Sequence, residues 1–149
     1  MEKVGVGVGI ILLNEEGKVL LILRNSDRKL ADSDMRLEGT YTLPSGKLLY
    51  NETFEDASIR KVLDEVGLTI KEKDLELVSI STDINSYAHY ITIGMFAKKY
   101  IGDVKLKNSG EFVSYDWFNL DELPNNLCDP SRKIINNCLN KKIYSDKER

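Results

Sequence analysis

Between Gly46 and Leu68 the chain reads GKLLYNETFEDASIRKVLDEVGL: a glycine, a loop, then a run dense in acids. Glu52, Asp64 and Glu65 offer carboxylate oxygens, the donors that hard divalent cations take. Arg60 and Lys61 stand among them with the opposite charge. Thr53 and Asp56 fit a capping box, which starts a helix near Phe54. Ile59, Val62, Leu63 and Val66 recur at the spacing of one helix face and are expected in the core. Gly67 is expected to end the helix as a left-handed cap. Lys61, Asp64 and Glu65 then share the opposite face. Charge pattern alone leaves two readings open. One is a solvated face carrying a single Lys61–Glu65 pair, worth about 0.3 kcal/mol. The other is a metal site with a lysine inside it.

The rest of the composition narrows the chemistry. His89 is the sole histidine, so any metal must rest mainly on carboxylates, which favours Mg²⁺ or Mn²⁺ over Zn²⁺. The 149 residues suit one domain, 1–149, with a real hydrophobic core. A net charge of −3 gives no general attraction to nucleic acid or anionic membrane, and neither is an expected partner. No apolar run approaches the ~20 residues of a membrane span, and no signal-peptide core is legible. Cys128 and Cys138 are too few for a disulfide framework, so a reducing cytoplasm is the expected location.

The elements that must hold the acidic run follow from periodicity. VGVGVGIILLN (Val4 to Asn14) alternates as a strand, with Gly5, Gly7 and Gly9 on one face. Such glycines invite close approach by another element or a ligand. No helix opens after them, so a dinucleotide-binding reading is discarded. NEEGK is a turn and KVLLILR a second strand, together a hairpin. Asn25 to Gly39 is a long polar connection of the kind that carries function. TYTLP, LELVSISTDI, Tyr87 to Tyr100 and Glu111 to Leu120 read as further strands. DPSRKIINNCLNKKIY reads as a second helix, with Asp129 at the N-cap, Pro130 at the first position and a buried stripe of Ile134, Ile135, Cys138 and Leu139. The pattern is an α+β fold in which two principal helices cover a curved mixed sheet.

The spacing is more specific than the charge pattern. Gly46, five residues, Glu52, seven residues, Arg60, then Val62, Asp64, Glu65, Gly67 and Leu68 resembles the Nudix box over 23 positions. The opening strands, YTLPSGKL before the box and YDWFNLDELP after it resemble the same family, so the likeness covers nearly the whole chain, and small MutT-like Nudix domains are the nearest group. The resemblance implies an α/β/α sandwich. It implies hydrolysis of the diphosphate linkage in an NTP, a dNTP or a related nucleoside diphosphate derivative, with Mg²⁺ or Mn²⁺. By position, Glu65 is the strongest ligand candidate, Asp64 a shortened partner, and Glu52 lies near the metal or holds Arg60 in place. Arg60 organises the loop. Glu111 matches a place from which some members supply a further acid. Homodimers are common in the family.

The departures matter as much. The family carries a glutamate after the arginine, a metal ligand, and this chain has Lys61, whose ammonium repels a cation. Ser45 replaces a glycine, Leu49 a polar residue, and Asn51 a glycine. Three outcomes are open: Lys61 swings outward beside a weakened metal site, its ammonium takes a metal's place against phosphate, or the domain binds nucleotide without turnover. The alternative to a hydrolase is thus a catalytically weak or inactive nucleotide-binding or sensor module. For the substrate, Gly46, Lys47, Arg24, Tyr41, Tyr87 and His89 are candidate contacts. Gly5, Gly7, Gly9 and Tyr90 are candidate pocket walls, since aromatic rings stack on bases.

Overall fold

The computed structural model describes residues 2–148. Seven strands and two helices follow in the order β1 (Val4–Ile11), β2 (Val19–Arg24), β3 (Tyr41–Thr42), β4 (Ser45–Lys47), α1 (Phe54–Val66), β5 (Leu75–Ile84), β6 (His89–Ala97), β7 (Phe112–Phe118) and α2 (Asp129–Asn140). One sheet has the order β4-β1-β6-β5 and the other β3-β2-β7. β1 pairs antiparallel with β4 and parallel with β6, so the larger sheet is mixed, as expected.

Alternation along β1 distributes the core. Val8 and Ile10 join the cluster that contains Ala57, Val62 and Val66 of α1. Ile11 joins the cluster that contains Ile134 and Ile135 of α2. Successive strand residues point to opposite faces, so the two helices cover opposite sides of the sheet. The layered α+β arrangement read from the sequence is the one observed.

Several local expectations need correction. The hairpin survives only at its tip, where Leu13 bridges Val19 and Asn14 N–H donates to Lys18 O. Beyond it β1 and β2 part into different sheets, because β1 is taken by β4 and β6. The strands expected over Tyr87 to Tyr100 and Glu111 to Leu120 are shorter, at His89–Ala97 and Phe112–Phe118. The N-cap of α2 is Cys128, not Asp129, which lies inside the first turn. On α2 Ile134 and Ile135 are buried, but Cys138 is half-buried and Leu139 is exposed. Asn137 takes the buried place instead, donating to Ser79 Oγ and Ile143 O. On α1 Leu63 is exposed and Glu65 is buried, the reverse of the expectation. The capping box and the left-handed Gly67 cap are both present.

Gly94 on β6 marks a close contact of α2 with the sheet. A Cβ there would lie 2.6 Å from Ile134 Cγ2 and 2.7 Å from Ser79 Cβ. Both neighbours are buried and cannot swing away. Gly94→Ala is therefore expected to destabilise the fold by about 1–3 kcal/mol, read as a lower urea midpoint. An unchanged midpoint would mean that α2 does not pack this closely.

Candidate functional site

The site begins with the side of α1 that faces β4. Glu65 is 3% exposed. Its Oε1 accepts the backbone N–H of Ser45 at 3.0 Å. Its Oε2 lies 3.3 Å from Lys61 Nζ, one turn earlier. The stem of Lys61 lies across Gly46, where a Cβ would come within 2.3 Å of Lys61 Cε. The side chain of Lys61 is only 18% exposed, so it does not swing outward.

From Glu65 a chain of alternating charges runs across the structure. Lys61 Nζ is also 3.8 Å from Asp64 Oδ2, and Lys107 Nζ is 3.2 Å from the same oxygen. Lys107 lies 3.9 Å from Glu111 Oε1, and Glu111 Oε2 accepts from Arg24 Nη1 at 3.3 Å. Arg24 is anchored in turn by the Ala31 and Asp32 carbonyls, while its Nε is buried without a partner. The segment carrying Lys107 is held to the end of α1: Lys105 N–H donates to Val66 O and Lys107 N–H to Glu65 O. Lys107 is not legible as a site residue in the sequence, because it lies in no periodic segment. Its only signal was its place four residues before Glu111.

Four of these groups, Arg24, Lys61, Glu65 and Glu111, line a cleft of about 380 Å³ together with Gly46 and Lys47, whereas Asp64 and Lys107 lie outside its lining. The 25–39 connection forms its other wall through Asp32 to Met35 and Leu37. Asp34 Oδ2 accepts from Tyr90 Oη at 2.5 Å and lies 2.8 Å from Lys47 Nζ, which ties that wall to β4 and β6. Hydrogen bonding from Lys47 and Tyr90 holds the Asp34 carboxyl below its ordinary range. A larger hollow of about 520 Å³ beside Lys71, Lys73 and Lys99 contains none of the box residues.

Other expected residues stand apart from the cleft. Glu52 and Arg60 form a fork, with Nε donating to Oε2 at 2.6 Å and Nη2 to Oε1 at 3.0 Å. Arg60 also donates to Lys47 O, and Glu52 accepts from Leu49 N–H, so the pair clamps the loop between β4 and α1. Arg60 is the first cause of the depressed Glu52 carboxyl pKa. In this loop Asn51 has φ 69°, a left-handed conformation that asparagine tolerates where glycine is commoner. Tyr41, Tyr87 and His89 do not line the cleft. Tyr41 packs edge-on against Phe118, Tyr87 lies under Arg36, and His89 starts β6 opposite Val4. Tyr90 is the aromatic residue that does line it.

A NUDIX domain family model matches residues 3–138, and the chain belongs to this family of pyrophosphohydrolases. An ADP-ribose pyrophosphatase from Methanocaldococcus jannaschii is 32% identical over 124 residues, 83% of this chain and 67% of that protein. A NAD-capped RNA hydrolase NudC from Photorhabdus laumondii is 26% identical over 69% of this chain, but only 38% of its own length is covered. The fold is similar to that of the MutT NUDIX hydrolase from Burkholderia pseudomallei (TM-score 0.78, 24% identity, 91% of this chain and 98% of that one). It is also similar to the MutT protein from Methanosarcina mazei Go1 (TM-score 0.77, 22% identity, 94% and 96%).

Nudix hydrolases generally use divalent metal ions. The donor set here does not fit one. Glu65, Asp64 and Glu111 each have a lysine or arginine nitrogen within 4 Å. Among the described residues no three His, Cys, Asp or Glu side chains are placed to hold an ion.

Burial pushes the Glu65 carboxyl up to about 7, against the pull of Lys61 and the Ser45 N–H. The folded protein thus holds this proton more tightly than the unfolded chain, where the group titrates near 4.5. Stability from this group is full below about pH 4.5 and is lost as pH rises through about 7, by roughly 3 kcal/mol. Glu65→Gln is expected to flatten that fall, measured by urea midpoints at about pH 5 and about pH 7.5. An identical slope in wild type and variant would show that Glu65 does not carry it.

Proposed function

We propose that this protein hydrolyses the diphosphate linkage of a nucleoside diphosphate derivative bound in the cleft between β1, β4, β6 and the 25–39 connection. The observation that carries this reading is the convergence of Arg24, Lys47 and Lys61 on one cleft that also holds the buried Glu65. Cationic side chains that share one cleft suit phosphoryl oxygens. The volume of about 380 Å³ is of the size that takes a small ligand. Glu65, with its pKa near 7, suits the acceptor of a proton from water attacking phosphorus. The water oxygen bonds to phosphorus, the bridging oxygen leaves with the second phosphate, and the proton passes to Glu65. Likeness to an ADP-ribose pyrophosphatase makes ADP-ribose the first substrate to test, ahead of NTPs and dNTPs. Two free cysteines, one buried and one half-buried, support a reducing cytoplasmic setting.

One observation favours a second reading. Glu65 and Glu111, which line the cleft, already carry ammonium partners, which suits a module that binds nucleotide with little turnover. The two readings part in one assay. The protein is incubated with ADP-ribose, NTPs, dNTPs, oxidised nucleotides and dinucleoside polyphosphates, with Mg²⁺, with Mn²⁺ and with EDTA. Release of AMP from ADP-ribose is expected. Calorimetric binding with no turnover of any compound would sink the hydrolase reading and leave the binding module.

A further inference from the structure

The chain Arg24–Glu111–Lys107–Asp64–Lys61–Glu65 alternates in charge at every step, with separations of 3.3, 3.9, 3.2, 3.8 and 3.3 Å. With Glu65 ionised, three cations meet three carboxylates and the group is neutral within itself. Lys61 touches two of the carboxylates. β4 is shaped to it, since any side chain at 46 would strike its stem. A dication entering here would have to part the lysines from their carboxylates and face their repulsion at close range. Were residue 61 a carboxylate, the same group would hold two cations and four carboxylates. That net charge of minus two is what one divalent ion cancels.

We infer that Lys61, with Lys107 behind it, stands in this site in place of a divalent cation. The nucleotide's diphosphate then binds to the Lys61 ammonium without metal. An ammonium has three hydrogens. Glu65 takes one direction at 3.3 Å, Asp64 lies farther off at 3.8 Å, and a remaining hydrogen serves a phosphoryl oxygen. Lys47 and Arg24 line the same cleft. Lys61 is buttressed on the side away from the cleft: Lys107 shares Asp64 with it, and Asp64 is the first cause of the raised Lys107 pKa. The inference rests on the nucleotide reading of the cleft for its phosphate half. Its metal half rests on the charge chain alone.

The test uses two titrations of the full chain. Mn²⁺ is titrated into wild type and Lys61→Glu, followed by electron paramagnetic resonance. ADP-ribose is titrated into wild type and Lys61→Gln by calorimetry, in EDTA and in Mn²⁺. Lys61→Glu is expected to bind Mn²⁺ about tenfold or more tighter than wild type. Wild type is expected to bind ADP-ribose equally in EDTA and in Mn²⁺, and Lys61→Gln to lose about tenfold of that affinity. Mn²⁺ binding as tight in wild type as in Lys61→Glu overturns the metal half. ADP-ribose binding that appears only with Mn²⁺ overturns the phosphate half. Should Lys61→Glu fail to fold, the wild-type arms decide: Mn²⁺-independent binding supports the inference, and saturable Mn²⁺ binding with Mn²⁺-dependent ADP-ribose binding overturns it. Should wild type bind no nucleotide in either buffer, the phosphate half falls with the nucleotide reading, and the Mn²⁺ titrations still decide the metal half.

Discussion

A single buried carboxylate organises this molecule. Glu65 lies under β4 with its charge taken out of water, a placement that costs several kcal/mol unless partners are supplied. The Ser45 N–H supplies one and Lys61 the other. Each of these partners makes a demand on the fold. Ser45 can donate only if β4 runs alongside β1 in its observed register, Gly9 opposite Ser45. Lys61 can reach Glu65 only along an intact helix, because the pair spans one turn. The helix is secured at one end by the Thr53–Asp56 capping box and at the other by the left-handed Gly67. Gly46 then leaves room for the lysine stem to cross the strand.

The same helix carries a second acid–base pair of different character. Arg60 and Glu52 make two short hydrogen bonds in a fork, more open to water, and they fasten the loop before α1. Glu52 is also bonded to Leu49 N–H, so its work is to hold backbone. Lys61 and Glu65 point the other way, into the cleft. Arg60 and Lys61 are neighbours in sequence and 100° apart around the helix, and that angle divides the loop clamp from the candidate site. Both pairs depend on the loop Lys47 to Thr53: Arg60 grips the Lys47 carbonyl, and so fixes where Lys47 and Gly46 lie against Lys61.

The parts of this arrangement that are local were legible in the chain. The start and end of α1 follow from Thr53, Asp56 and Gly67, whose hydrogen bonds are made within a few residues. The box spacing brought Gly46, Lys61 and Glu65 under one reading, and they do meet. What failed was read from hydrophobicity alone. Leu63 looked like core and Glu65 like surface, because a periodic pattern records side-chain polarity and cannot see a strand supplying an N–H to a carboxylate. The β1–β2 hairpin failed for a related reason. β1 is claimed along its whole length by β6, some eighty residues later, a long-range pairing that no local alternation announces. Tyr41, Tyr87 and His89 are aromatic or polar groups near strands, but strand ends and a turn place them away from the cleft while Tyr90 enters it. Lys107 had no periodic neighbourhood at all; two backbone hydrogen bonds to the end of α1 place it.

Stability does not account for the Lys61–Glu65 pair. Exchanging a buried ion pair for apolar groups of the same volume is often neutral or favourable, whereas removing one partner is costly. A core built for stability alone would put apolar side chains there, as it does at Val62 and Val66 on the adjoining face of the same helix. Glu65 instead is held protonatable near neutrality, at the wall of a cleft, with a lysine beside it. Perturbed groups of this kind, gathered in a concave site with a specific charge partner, are the ordinary mark of chemistry. The alternating chain extends that argument. Every carboxylate in it is answered by a cation, so the charges of the chain are already paired and positioned before any ligand enters. An anionic ligand meets donors whose positions are set by Gly46, Asp64 and the Ala31 and Asp32 carbonyls. Little reorganisation is left to be done when it binds, which is the condition under which fixed charges act most strongly on a phosphoryl group.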